Sequence, residues 1–125
     1  GVGPIATMCN INRGNRFVSM TSHATKAVGL NKYIVDNGGA DHPNAKLKFK
    51  QGDIITSTIE TANGETIIVT HDCNSPRPYS LGFRVQGSEG LWEVDGSRMY
   101  VEGVSKPHRW DEAKPWLEKL ISLFR

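Results

Sequence analysis

The sequence predicts an α+β fold: an open, mainly antiparallel β-sheet of about six strands, largely a β-meander, with one or two helices. Three observations carry that reading. Ile54 to Ala62 and Thr66 to Thr70 are rich in β-branched residues and flank Asn63-Gly64. Leu81, Phe83 and Val85 alternate with Gly82, Arg84 and Gln86, the period of a half-buried strand. Helical spacing is confined to two stretches, of which Pro115 to Phe124 is the stronger.

Taken in chain order, a first strand is expected around Arg16 to Thr21. Ala24 to Asn37 can hold a short helix that ends at Gly38-Gly39, where a left-handed cap costs glycine little. Asp36 to Gly52 is polar and punctuated by Gly and Pro, so it reads as a long loop with an extended centre. Asn63-Gly64 predicts a hairpin turn with positive φ at both positions. Gly87-Ser88-Glu89-Gly90 makes a second turn, Leu91 to Val94 a short strand, and Asp95-Gly96 a third turn before Arg98 to Glu102. Pro115 then opens a helix whose Trp116, Leu117, Leu120, Ile121 and Phe124 recur on one face.

Composition narrows the classes of function. A chain of 125 residues reads as one domain, and it should bury roughly two-thirds of its unfolded surface without disulfides or metals. A net charge of +2 is too small to imply nucleic acid. Lys46, Lys48 and Lys50 fit one face of a short extended segment and read as a solvated edge. No apolar run approaches a membrane span. The opening Gly1-Val2-Gly3-Pro4 carries no signal-peptide pattern and reads as mid-chain, so the compartment is not legible. Cys9 and Cys73 could pair, but such residues more often act as small buried hydrophobes.

Gly1-Val2-Gly3-Pro4-Ile5-Ala6 has the spacing of a dinucleotide fingerprint. That motif works between a strand and a helix; here no strand precedes it and Pro4 lacks the amide the turn should donate, so it is rejected. His71-Asp72-Cys73-Asn74-Ser75-Pro76-Arg77-Pro78-Tyr79 is the most distinctive segment. Two prolines stiffen it, Arg77 offers a fork of donors, and Tyr79 offers a ring with a hydroxyl tip. That pair suits a sugar or polyol. It equally suits a plain connection in which Arg77 pairs with Asp72 and Tyr79 packs on the core. The spacing of His71 and Cys73, with His23 and Cys9 elsewhere, lacks the paired ligands of a zinc site. No Gly-x-Ser-x-Gly supports a serine nucleophile. His42 and His108 read as loop histidines beside Pro43 and Pro107. Trp92, Trp110 and Trp116 could stack on sugars, with core packing the simpler reading.

Gly1-Val2-Gly3-Pro4, Cys9-Asn10-Ile11-Asn12-Arg13-Gly14, Val18-Ser19-Met20, and His71-Asp72 with Ser75-Pro76-Arg77-Pro78-Tyr79-Ser80 together resemble one family. It is the Gfo/Idh/MocA oxidoreductase superfamily, and within it the NAD-dependent glycosidases of glycoside hydrolase family 109, typified by bacterial α-N-acetylgalactosaminidase. The resemblance runs from Gly1 to about Trp116. It implies that residues 1–125 are the C-terminal substrate and oligomerisation domain of a two-domain enzyme whose N-terminal Rossmann domain lies outside this sequence. It further implies NAD in the full-length parent and none held by this fragment. The sugar is oxidised transiently at C3, so that the aglycone is eliminated and the cofactor is recycled within one turnover. The family's Tyr-x-x-His stands immediately before Gly-x-Gly-Pro, so the resemblance places no catalytic residue in this sequence. It places Tyr79 at the substrate, with Arg77 as its binding or structural neighbour.

Two further readings stay open: a fragment of an NAD(P)-dependent sugar oxidoreductase, and a non-catalytic β-sheet binding or assembly module. The expected partners are a sugar substrate, the N-terminal domain and further copies of the chain, with neither nucleic acid nor membrane.

Overall fold

The structure, a computed structural model, describes residues 1–123 and divides into two compact units, Gly1–Pro76 and Arg77 onward. In the first unit, α1 (Gly3–Met8) leads to β1 (Phe17–Ala24), α2 (Gly29–Gly38), β2 (Ile54–Thr61) and β3 (Thr66–Asp72). The three strands form an antiparallel sheet in the order β1-β2-β3. The second unit holds β4 (Arg84–Gly87), β5 (Gly90–Glu93), β6 (Arg98–Val101) and β7 (Asp111–Glu112), an antiparallel sheet in chain order, followed by α3 (Ala113–Ser122).

The α+β, open and antiparallel reading therefore holds, with seven strands in two sheets and three helices. The first ladder ends at Asp72, the partner of Ile54, and Pro76 and Pro78 lie in the irregular chain between it and β4. β1 runs to Ala24, because Met20, Ser22 and Ala24 find register with Ile59, Ser57 and Ile55, so α2 starts only at Gly29. Its end is as expected: Gly39 has φ 86° and closes onto the Val35 carbonyl. The α1 helix was hidden in the false dinucleotide motif. Pro4 falls in its first turn, where a missing N–H costs nothing. β7 has two residues and no pattern to betray it. The α3 helix begins two residues before Pro115, and Phe124 lies outside the described residues.

Turn chemistry differs in an instructive way. Around Asn63-Gly64 only Gly64 takes a positive φ, 97°. The connection is a longer loop, Thr61 to Glu65, in which the Gly64 N–H donates to the Thr61 carbonyl at 3.1 Å. At Asp95-Gly96 the left-handed residue is Ser97 (φ 46°), not the glycine. Gly96 leaves room for a neighbour, since a Cβ there would stand 2.1 Å from Arg98 Nε and that side chain would have to shift.

The expected self-contained core does not form. Among the described residues the buried hydrophobic side chains are Ile59, Ile67 and Ala113 alone. Ile59 and Ile67 pair directly across β2 and β3 and mark one face of the first sheet. Met20 on that face, and Leu117, Leu120 and Ile121 on α3, remain exposed. No regular strand forms through Lys46, Lys48 and Lys50; the lysines are exposed in a turn-rich loop. Asn31 anchors that loop by donating to the carbonyls of Ala45 and Leu47 at 3.0 and 2.8 Å.

Candidate functional site

The segment singled out by its prolines leaves β3 at Asp72 and crosses the boundary between the units at Pro76. On the first side, the Ser75 N–H donates to Asp72 Oδ1 at 3.2 Å, a short turn that directs the chain out of the sheet. His71 Nε2 and Cys73 Sγ approach to 3.4 Å. Both thiols are free, and Cys73 is exposed while Cys9 is half-buried, so neither is the buried hydrophobe expected. Burial, then the neighbouring Glu65 carboxylate, pushes the Cys9 thiol pKa up.

On the second side, Arg77 Nη1 donates to the Ser80 carbonyl at 3.1 Å and to that of Pro78 at 3.5 Å. The guanidinium thus closes a loop over its own backbone. Asp95, from the β5–β6 turn, holds the far end. Its carboxylate accepts from the Ser80 hydroxyl and, at 3.4 Å, from the N–H of Gly82. Between these anchors Tyr79 is 89% exposed. Core packing of Tyr79, one of the two readings the sequence allowed, is therefore not what it does. An anchored loop presents an aromatic ring and hydroxyl to solvent, at low entropic cost for a ligand that uses both.

The motif Cys9-Asn10-Ile11-Asn12-Arg13-Gly14 has a structural explanation. Asn10, Asn12 and Gly14 take φ of 53°, 63° and 102°, a conformation that Asn and Gly tolerate best. Asn15, 5% exposed, locks this loop to the β2–β3 hairpin. Its amide donates to the Cys9 carbonyl (2.8 Å) and Glu65 Oε2 (2.9 Å), and its oxygen accepts the N–H groups of Arg16 (2.9 Å) and Asn63 (3.1 Å). The Thr61 hydroxyl, donating to Glu65, holds that carboxyl below the usual glutamate range, helped by the Glu65 N–H and by Asn15.

The α1 helix has six residues, and Pro4 in its first turn has no N–H to offer an anion. Nor do three or more His, Cys, Asp or Glu side chains converge among the described residues to hold a metal ion. No helix there is long and apolar enough to cross a membrane.

A second concavity, missed from the sequence, lies wholly within the second unit. It measures about 740 Å³ and is lined by Gln86, Leu91, Tyr100, Glu102 and the Pro107–Trp110 loop, with glycines at the β4–β5 turn. Its residues come from three strands and a loop, so only the pairing register brings them together. Trp110, 42% exposed, sits there with the Arg98 guanidinium 4.7 Å from its ring centroid. Trp92 and Trp116 are half-buried, closer to the packing role expected of them. His42 and His108 are loop residues as expected, the latter with φ 59°.

Comparison with known proteins defines the class. The family model for the C-terminal domain of glycosyl hydrolase 109 matches residues 1–122, so this chain is a glycosyl hydrolase C-terminal domain. The match passes through Leu120 to Ser122, beyond the Trp116 at which the motif resemblance stops.

The chain belongs to glycosyl hydrolase family 109. It is 64% identical over 119 residues to a family 109 protein of Parabacteroides distasonis, covering 95% of this chain and 26% of that protein. It is 62% identical over 119 residues to an alpha-N-acetylgalactosaminidase of Tannerella forsythia, covering 95% and 25%. A family 109 protein of Stenotrophomonas maltophilia is 51% identical over 120 residues, covering 95% and 26%. The chain thus spans about a quarter of the length of these relatives.

Proposed function

We propose that this chain is the substrate-facing domain of an NAD-dependent glycosidase acting on N-acetyl-α-galactosaminides or related sugars. The observation that carries the reading is the anchored, solvent-facing Tyr79 loop within a family 109 domain. A relative 62% identical bears the name alpha-N-acetylgalactosaminidase, which supports the choice of sugar.

In this reading Tyr79 lays its ring and hydroxyl against the substrate. Arg77 shapes the loop through its bonds to the Ser80 and Pro78 carbonyls. NAD is held by residues outside those described, in an N-terminal Rossmann domain, and there it supplies reversible oxidation of the sugar at C3. No step through the cofactor is assigned to this chain, which alone is inactive. The whole protein is taken to self-associate through this domain, in keeping with the exposed apolar residues of β1 and α3.

The test is release of an aryl N-acetyl-α-galactosaminide by the full-length protein and its Tyr79→Phe variant. Release without net NADH, slowed about tenfold by the substitution, is expected for one lost substrate hydrogen bond. NADH accumulating with free sugars would make the parent a sugar oxidoreductase instead. Neither activity, in a folded protein with NAD bound, would leave a binding or assembly module.

A further inference from the structure

The sheet of the second unit has two unlike faces, and its register shows why. Val85, Trp92 and Met99 pair across β4, β5 and β6, which makes one face apolar. One residue along, Gln86, Leu91 and Tyr100 pair in the same way on the opposite face, with Glu93 and Arg98 in the next row and Glu102 beyond Tyr100. That second face is the floor of the cavity of about 740 Å³, within the roughly 300–1,000 Å³ of small-molecule sites.

Its walls are fixed in place. Ser105, 8% exposed, accepts the Val101 N–H at 2.8 Å and donates to Asp111 Oδ2 at 2.7 Å, pinning both ends of the loop that carries Pro107 to Trp110. Arg98 pairs with Glu93 at 2.6 Å and stacks on Trp110, which orients the indole. The Tyr100 hydroxyl donates to Glu102 Oε2 at 2.6 Å. At the rim, Gly90 lets strands approach where a Cβ would stand 2.5 Å from the Tyr100 carbonyl oxygen. His108 holds φ 59°, a backbone cost that the pinned loop sustains.

We propose that this cavity is a binding site for a neutral saccharide ring, separate from the Tyr79 loop. The lining combines an acceptor-only carboxylate (Glu102), a donor-only guanidinium (Arg109), an amide with both capacities (Gln86) and two aromatic side chains (Tyr100, Trp110). Opposite charges on the walls give a ligand of neither sign a net attraction to offset the cost of desolvating it. An apolar ligand would leave the polar groups unpaired. A ring of hydroxyls both donates and accepts, and its axial C–H face lies flat on an indole or phenol. The assignment goes beyond the reading above, which places the reacting sugar at Tyr79. It makes the domain a carrier of part of a longer glycan.

The test is NMR titration of the full-length parent protein, isotope-labelled at its tryptophan and glutamine side chains, with methyl N-acetyl-α-galactosaminide, methyl α-glucoside, galacturonate and galactosamine. The Trp110 indole N–H is the reporter, with Trp92 and Trp116 as internal references. Saturable shifts at Trp110 and the Gln86 amide are expected with the neutral glycosides, and binding at least about tenfold weaker with either charged sugar. Trp110→Ala removes the stacking partner of Arg98 and endangers the fold. The deciding variants are therefore Gln86→Ala and Glu102→Gln, both on exposed side chains, each expected to weaken binding several-fold. Tyr79→Phe should leave the Trp110 titration unchanged. The proposal is overturned if a folded chain shows no shift at Trp110, if galacturonate or galactosamine binds as tightly, or if the shifts follow Tyr79 and ignore Gln86 and Glu102. That last outcome would leave the proposed function standing.

Discussion

The two units solve the same problem, a small sheet with almost no apolar core, by opposite means. The first ties distant parts of the chain together with single polar side chains. Asn15 reaches Glu65, 50 residues away, and Asp53 accepts the N–H groups of Val28 and Gly29 at 3.0 Å, capping α2 from 24 residues on. Strand order follows the chain in both units, but in the second no helix stands between the strands, whereas α2 and a long loop separate β1 from β2 in the first. Ser105 and the Arg98–Trp110 stack fix the second unit's loop together with backbone bonds from Val104 and Ser105 to the Val101 carbonyl.

The contrast is broken most severely at Asn15. Asn15→Ala strands the Cys9 carbonyl and the Arg16 and Asn63 N–H groups at a site 5% exposed, and should cost about 3 kcal/mol. Urea unfolding, with hydrogen exchange read separately in β2–β3 and β5–β6, should show the loss in the first unit alone. Equal loss in both would end the comparison. In the second unit, Trp110→Leu removes the cation–π contact with Arg98. It should cost about 1 kcal/mol and loosen the β6–β7 loop, visible as lost protection at Val101 and Ser105. Asp53→Ala should cost a similar or smaller amount, up to about 1 kcal/mol, and fray α2 from Val28 while β2 and β3 stay protected.

Acid sharpens the contrast without mutation. The carboxyl of Glu65 titrates below its ordinary range in the folded chain, mainly through the Thr61 hydroxyl. Its contribution is therefore present above the usual glutamate pKa and lost as pH falls through the lowered one. The first unit should weaken on acidification before the second does, and Glu65→Gln should flatten that slope. Smallest of all, Tyr79→Phe on a ring 89% exposed should leave stability within about 0.5 kcal/mol. Any larger loss in thermal unfolding would mean that the hydroxyl serves the fold.

The parts of this structure legible in the sequence are those with local causes. β2 and β3 announce themselves through Ile and Thr, and the Tyr79 loop through Pro76 and Pro78. What escaped was set by pairing. Alternation says that Leu81 to Gln86 can be a strand; it does not say that the regular ladder begins only at Arg84, next to a single Val94 N–H to Phe83 carbonyl bond. The split into two sheets, the two residues of β7 and the cavity floor of Gln86, Leu91 and Tyr100 all depend on register between separate segments. Turn glycines misled for a related reason. A Cβ at Gly96 would displace the Arg98 side chain, a contact the turn's own four residues cannot reveal.

The junction between the units carries one more consequence, for how the protein ages in a protease-rich setting. An exposed connection between compact units is where proteolytic nicking normally begins. The basic residue standing there is Arg77, and Pro78 follows it, on either side of exposed, irregular chain. Proteases that cut after arginine are blocked by a proline in the next position, and Pro76 stiffens the approach from the other side. The same two prolines that set out the Tyr79 loop thus close this connection to trypsin-like digestion, so the first cuts should fall elsewhere, among the exposed lysines at 46, 48 and 50.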